Sequence, residues 1–162
     1  AYTYNEPLVN WEFLRDTAML AHDAGLVNVL VSNGMASERV LSEVVALIDA
    51  ANIDLKCFTE EGYRSLGGDL PTVRRTIEAL AVQPGCHLEV TTLVVPGLSD
   101  DDGQVEAMAR WLAALDPAIP YHLTRFFPQH RMLDVEPTPR ATLEGLSRVA
   151  RRYLRDVMLG NV

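Results

Sequence analysis

Short β-branched runs alternate with amphipathic stretches along this 162-residue chain, and that alternation admits few folds. Ala1 to Tyr4 is strand-like. Asn10 to Ala24 carries Trp11, Leu14, Ala18 and Ala21 at helical spacing and meets Gly25, a residue suited to the C′ position. Leu26 to Val31 reads as a strand ending in the turn Ser32-Asn33-Gly34. Ser37 to Ala50 is helical, with Val40, Val44, Leu47 and Ile48 on one face, and the strand around Ile53 follows. Pro71 to Val82 is a helix with proline in its first turn, and Leu88 to Val95 is a strand closed by Pro96-Gly97. Ser99 is the expected N-cap of a helix reaching Leu115, with Asp100, Asp101 and Asp102 at its positive end. Pro120 to Phe127 is a strand stopped by Pro128. Thr138-Pro139 opens a last helix bearing Leu143, Leu146 and Val149, and Asp156 to Leu159 is a final strand.

Nearly continuous apolar strands separated by helices predict an α/β fold whose parallel sheet is covered on both faces. About six mostly parallel strands are too few for a closed eight-stranded barrel, so a partial (β/α) barrel is expected, with an open doubly wound sheet as the alternative. No spacer rich in Gly, Ser or Pro divides the chain, and a single domain over 1–162 is expected. The net charge of −8 and pI near 4.9 argue against a sequence-independent grip on nucleic acid. No apolar stretch approaches the ~20 residues of a membrane span, which points to the cytoplasm. Cys57 and Cys86 are too few for a disulfide framework or a zinc site, and each is expected to be a buried thiol.

In either architecture a ligand lies beyond the carboxyl ends of the strands. Those ends read Asn5-Glu6-Pro7, Ser32-Asn33-Gly34, Asp54 with Lys56, Pro96-Gly97-Leu98-Ser99-Asp100, and Arg125. Lys56 is the only lysine among 14 basic residues. A compact ammonium at a strand end can hold an anion or form a Schiff base. Carboxylates, one ammonium and several amides and hydroxyls suit a zwitterionic, hydroxylated ligand. Structural readings compete at each position: Glu6 could cap the helix that starts near Val9, and Asp54 could pair with Lys56 or Arg125.

With these strand ends in order, the chain resembles radical SAM proteins of the pyruvate formate-lyase-activating type, and among them the radical SAM member of the AmmeMemoRadiSam system. The matching segments are Thr3-Tyr4-Asn5-Glu6-Pro7, Val29 to Gly34, Asn52 to Lys56, Val94 to Asp100, Arg125 to Pro128 and Val157 to Val162. The resemblance implies that S-adenosylmethionine (SAM) is bound by Tyr4, Asn5, Glu6, Ser32, Asn33, Asp54, Lys56, Val95, Pro96, Gly97 and Arg125. Tyr4-Asn5-Glu6 stands where related enzymes carry a Gly-Gly-Glu segment for the methionine ammonium. Ser32 and Asn33 would face methionine and ribose, Lys56 would pair with the carboxylate accompanied by Asp54, and Val95 to Leu98 would lie against adenine. It also implies a [4Fe-4S] cluster whose reduced form cleaves SAM to a 5′-deoxyadenosyl radical, a flavodoxin- or ferredoxin-type reductant, and a protein or small-molecule hydrogen-atom donor.

This chain departs from that pattern in three places. The CxxxCxxC cluster motif is absent, because Cys57 and Cys86 lie far apart in sequence. The expectation is a chain truncated before its first strand and cluster loop, inactive in radical chemistry by itself. Val31 stands where activases often carry aspartate, and Phe127 stands near a position where they use histidine; both favour the AmmeMemoRadiSam branch. Two other functions compete. One is a (β/α) Schiff-base lyase or aldolase with Lys56 as nucleophile and Asp54 as proton shuttle. The other is a non-catalytic module meeting a protein through Arg148, Arg151, Arg152 and Arg155.

Overall fold

A computed structural model describes residues 1–162. The five strands are parallel and follow in the sheet the order they have in the chain, β1-β2-β3-β4-β5. The chain forms two compact units: Ala1–Leu55 with Gly68–Glu89, and Lys56–Gly67 with Val90–Val162.

The first unit contains α1 (Trp11–Asp23), β1 (Val29–Ser32), α2 (Glu38–Val44), β2 (Ala50–Asp54) and α4 (Leu70–Ala81). Strands β1 and β2 pair in register from Val29 with Ala50 to Ser32 with Ile53. Leu14 and Ala18 of α1, Leu30 of β1, Ala51 and Ile53 of β2, and Val73 and Ile77 of α4 are buried. Helix α1 ends as its glycine predicts. Gly25 has φ of +74°, its N–H donates to the His22 carbonyl, and the Leu26 N–H donates to the Ala21 carbonyl. That arrangement claims Leu26 for the helix terminus, so β1 starts at Val29 rather than at Leu26, and Leu26 and Val27 are exposed. The expected helix to Ala50 is also shorter: α2 stops at Val44, passes through a 3-10 turn over Val45–Leu47, and Ala50 already belongs to β2.

The second unit contains α3 (Glu60–Ser65), most of β3 (His87–Val94), α5 (Asp102–Leu115), β4 (Tyr121–Arg125), α6 (Arg140–Ala150) and β5 (Val157–Gly160). Strand β4 pairs with β3 from Tyr121 with Val90 to Arg125 with Val94, and with β5 from Tyr121 with Val157 to Thr124 with Gly160. Helices α5 and α6 pack Val105, Met108, Leu112, Leu143 and Leu146 into a fully buried core. Tyr121 is completely enclosed there. Its hydroxyl donates to Thr92 Oγ1 at 2.8 Å, and burial pushes its ionisation upward.

Five strands form, not about six. The Ala1–Tyr4 run gives a single parallel rung, in which Tyr2 N donates to the Val29 carbonyl and Val31 N to the Tyr2 carbonyl. Tyr4 and Asn5 then take φ of 70° and 56°, left-handed backbone that ends the extension. Ser99 is not the cap of α5. Its hydroxyl is buried, donating to the Leu93 carbonyl and accepting from Val95 N, while Asp101 caps the helix by accepting from Gln104 N. Helix α6 begins at Arg140, with Pro139 at the N-cap position and no capping side chain. Thr138 instead donates its hydroxyl to the Val94 carbonyl at 2.5 Å. Helix α3 had no counterpart in the sequence reading; its signal is Thr59 before two glutamates, with Thr59 Oγ1 accepting from Gly62 N.

Candidate ligand-binding site

In the first unit, Glu6 joins two of the strand-end segments. Oε1 accepts from the Ser32 hydroxyl at 2.7 Å and from Leu8 N at 3.1 Å, and Oε2 accepts from Asn33 N at 2.7 Å. One carboxylate therefore caps the 3-10 turn Pro7–Asn10 and ties down the Ser32-Asn33 turn. A carboxylate offers about four acceptor positions, so three bonds leave room for one further donor. The turn is fixed from within: Ser32 Oγ accepts from Gly34 N, and Asn33 Oδ1 accepts from Met35 N. Gly34 has φ of +73°, and a Cβ there would lie 2.8 Å from the Ile53 side chain, so a larger residue would strain the backbone and force Ile53 to shift. Tyr4 and Asn5 adjoin this group through their left-handed backbone, with the Tyr4 side chain 88 % exposed. Asp54 closes β2.

In the second unit, Lys56 lines a cavity of about 390 Å³ together with Leu66, Val95, Pro96, Leu98 and Phe126; Gly97, Leu93, Ser65 and Met132 complete it. Apart from the Lys56 ammonium and the Ser65 hydroxyl, the side chains of this wall are apolar. Lys56 itself is half-buried. Three contacts fix its loop. Lys56 N donates to the Tyr63 hydroxyl at 3.0 Å, Phe58 N donates to Gln104 Oε1 at 3.1 Å, and the Phe58 ring lies 5.7 Å from that of Trp111. The opposite wall is shaped by Gly97, whose φ is +75° and whose N–H donates to Asp100 Oδ1.

Lys56, Val95, Pro96 and Gly97 thus meet on one cavity. Arg125 lies outside its lining. The Arg125 Nε donates to the Thr138 carbonyl at 2.7 Å, and the guanidinium stacks on Phe127, 4.7 Å from the ring centre. Leu66, Met132 and the support Tyr63 were missed because α3 and the β4–α6 connection carry weak periodic signals; Phe126 and Gln104 lie in or beside expected elements, but nothing in their spacing marks them as facing a cavity. Two of the arginines near the C-terminal end of α6 are bonded within the fold. Arg151 donates to the Val157 carbonyl and to Ser147, and Arg152 pairs with Glu106 at 3.2 Å.

Neither cysteine is in a disulfide. Cys57 is fully buried and burial pushes its thiol up; Cys86 is only partly buried, and burial together with the nearby Asp49 charge raises it as well. No three His, Cys, Asp or Glu side chains group so as to hold a metal ion. The residues of this chain therefore do not fit a [4Fe-4S] cluster. An apolar wall beside one ammonium suits a ligand that carries a ring and a carboxylate. No helix is long and apolar enough to cross a membrane.

No family model matches the chain. It is 34 % identical over 164 residues to the uncharacterized protein MJ0808 of Methanocaldococcus jannaschii, covering all of this chain and 48 % of that protein, so it spans about half of that relative's length. It is 24 % identical over 168 residues to the pyruvate formate-lyase 1-activating enzyme of Escherichia coli K12, covering 94 % of this chain and 68 % of the enzyme. A domain of the pyruvate-formate lyase-activating enzyme from Bacteroides vulgatus superimposes with a TM-score of 0.80 over 99 % of this chain and 97 % of that one, at 19 % identity. The chain has that domain's fold. Archaeal TYW1 gives a TM-score of 0.64 over 94 % of this chain and 48 % of its own, at 17 % identity. The class is therefore α/β of the partial (β/α) barrel kind, the fold of that activating-enzyme domain.

Proposed function

We propose that this chain is the SAM-binding portion of a radical SAM enzyme of the pyruvate formate-lyase-activating type. The observation that carries the reading is the convergence of the single lysine with the Val95–Leu98 loop on one cavity of about 390 Å³. In this reading the Lys56 ammonium pairs with the methionine carboxylate, and Val95, Pro96 and Leu98 cover adenine and exclude water from it. Glu6, oriented by Ser32, Asn33 and Leu8, offers its remaining acceptor position to a cationic group. In enzymes of this type SAM is the source of a 5′-deoxyadenosyl radical. No step is assigned through a cluster, which would need ligands from outside these residues. The AmmeMemoRadiSam branch, a cytoplasmic setting and a flavodoxin- or ferredoxin-type electron donor belong to the same proposal. Its support is the ordered strand-end series together with the sequence likeness to the activating enzyme.

Calorimetric titration of this chain with SAM tests the reading. Saturable binding is expected, weakened at least tenfold by Lys56→Met, because one partner of a charge-assisted pair is removed. Absence of SAM binding, both in this chain and in a cluster-reconstituted longer protein containing it, would overturn the proposal.

One observation favours a second reading, a Schiff-base enzyme. Lys56 is the only lysine and faces an apolar-lined cavity, and a TYW1 structure with a lysine–pyruvate adduct bound shares the fold, with a TM-score of 0.65 at 18 % identity. Borohydride reduction in the presence of pyruvate, read by intact mass, separates the two. A trapped adduct at Lys56 supports the Schiff-base enzyme, and unmodified Lys56 leaves the carboxylate-pairing role.

A further inference from the structure

We propose that Gln104 is a positioning residue that clasps together the two loops forming the walls of the Lys56 cavity. One wall is the segment Lys56–Phe58 after β2, and the other is Val95–Leu98 after β3. The side-chain amide of Gln104 serves both. Its Oε1 accepts from Phe58 N at 3.1 Å, and its Nε2 donates to the Leu98 carbonyl at 3.0 Å. One planar group thus satisfies a donor on one loop and an acceptor on the other. Glutamate would keep the first bond and lose the second, methionine would lose both at similar length, and asparagine would be shorter.

The clasp is itself held rigid. Gln104 lies in the first turn of α5, where its own N–H donates to the capping Asp101 at 2.9 Å. Seven residues further along the same helix, Trp111 receives the Phe58 ring at 5.7 Å. The Lys56 loop is therefore fixed to α5 at two points, and the Tyr63 hydroxyl accepts the Lys56 N–H. Gly62 packs beneath: a Cβ there would lie 2.6 Å from Cys57 Sγ and 3.4 Å from Leu98. Because α5 carries both walls through one side chain, Gln104 sets the spacing between the ammonium and the apolar surface opposite. A ligand with a carboxylate at one end and a flat apolar ring at the other would be selected by that spacing. The consequence for ligand choice rests on the SAM reading above; the clasp itself does not.

The test compares wild type, Gln104→Met and Gln104→Glu by three measurements. Lys56 acylation by limiting acetic anhydride is followed by mass spectrometry, with the α-amine as internal reference. Amide exchange is followed at Phe58, and SAM and adenosine affinities are titrated. Gln104→Met is expected to acylate Lys56 several-fold faster, to exchange the Phe58 amide at least tenfold faster, and to bind SAM about tenfold more weakly. Adenosine, which meets one wall only, should change less than twofold. Gln104→Glu should restore Phe58 protection but not SAM affinity, a graded rescue that a general loss of stability would not give. Wild-type acylation and exchange in a folded Gln104→Met protein would overturn the proposal, as would unchanged SAM affinity where wild type binds SAM. If wild type binds no SAM yet Gln104→Met loosens Lys56, the clasp stands and the SAM reading falls.

Discussion

Glu6 shows how one side chain can hold two segments at once. As an acidic residue before Pro7 it reads as a cap, and as a strand-end carboxylate it reads as a ligand. The cap is met and the same carboxylate reaches the Ser32-Asn33 turn, because the chain turns through left-handed Tyr4 and Asn5. Removing it as Glu6→Ala leaves the Ser32 hydroxyl and the N–H groups of Asn33 and Leu8 without their acceptor. The expected cost is roughly 2 kcal/mol, and roughly 1 kcal/mol for Glu6→Gln, which keeps one acceptor oxygen; urea unfolding measures both. At this scale the sequence spoke clearly about which residues end strands, since Ser32, Asn33, Lys56 and Pro96 are out of character with the apolar runs before them. It said less about partners. Arg125 looked available for a ligand, yet its Nε is committed to Thr138, a residue 13 positions away.

Elements were legible where a period was long enough to repeat. Helices α1, α4 and α5 appeared at nearly their true positions because three or more apolar turns mark each. Helix α3 has only six residues, and its single buried side chain, Tyr63, gives no repeat to detect. Caps were harder than helices. In Ser99-Asp100-Asp101-Asp102 four consecutive residues can all cap, and the buried hydroxyl of Ser99 is taken by strand ends instead. Helix α3 also sets up a contest of two effects in Gly62→Ala. Alanine favours a helix over glycine by about 1 kcal/mol. A Cβ 2.6 Å from buried Cys57 Sγ and 2.8 Å from Thr59 Oγ1 opposes it, at about 1–3 kcal/mol for overpacking. Net destabilisation is expected, read as a lower thermal midpoint; a rise would show that the Cys57 loop yields freely.

For the molecule as a whole, acid is the exposed flank. Three carboxyls are held below their ordinary range: Asp49 by the Asn28 N–H and then His22, Asp69 by the Thr72 hydroxyl and then its amide, and Glu106 by the Tyr153 hydroxyl followed by arginines. Each folded-state value lies below the unfolded one. Their stabilisation is therefore complete above about pH 4–5 and is lost as pH falls through the folded values. All three sit near solvent, so screening keeps each contribution small. Urea midpoints should hold steady from about pH 7 to 5 and drop by about pH 3.5, and Asp49→Asn should flatten that drop. The alternation of runs was enough to read the α/β class and the parallel strands. The strand count was not, because a strand needs a straight backbone as well as β-branched residues, and Tyr4 and Asn5 bend away after one rung. The single lysine has a last consequence at this scale. A lysine-specific protease finds one bond to cut, Lys56–Cys57, which would release residues 1–56 and 57–162. That bond lies between an amide held by Tyr63 and a thiol with no exposed surface. Cleavage must wait for the loop to leave its place, so the rate of the cut is a clock for the opening of the cavity wall.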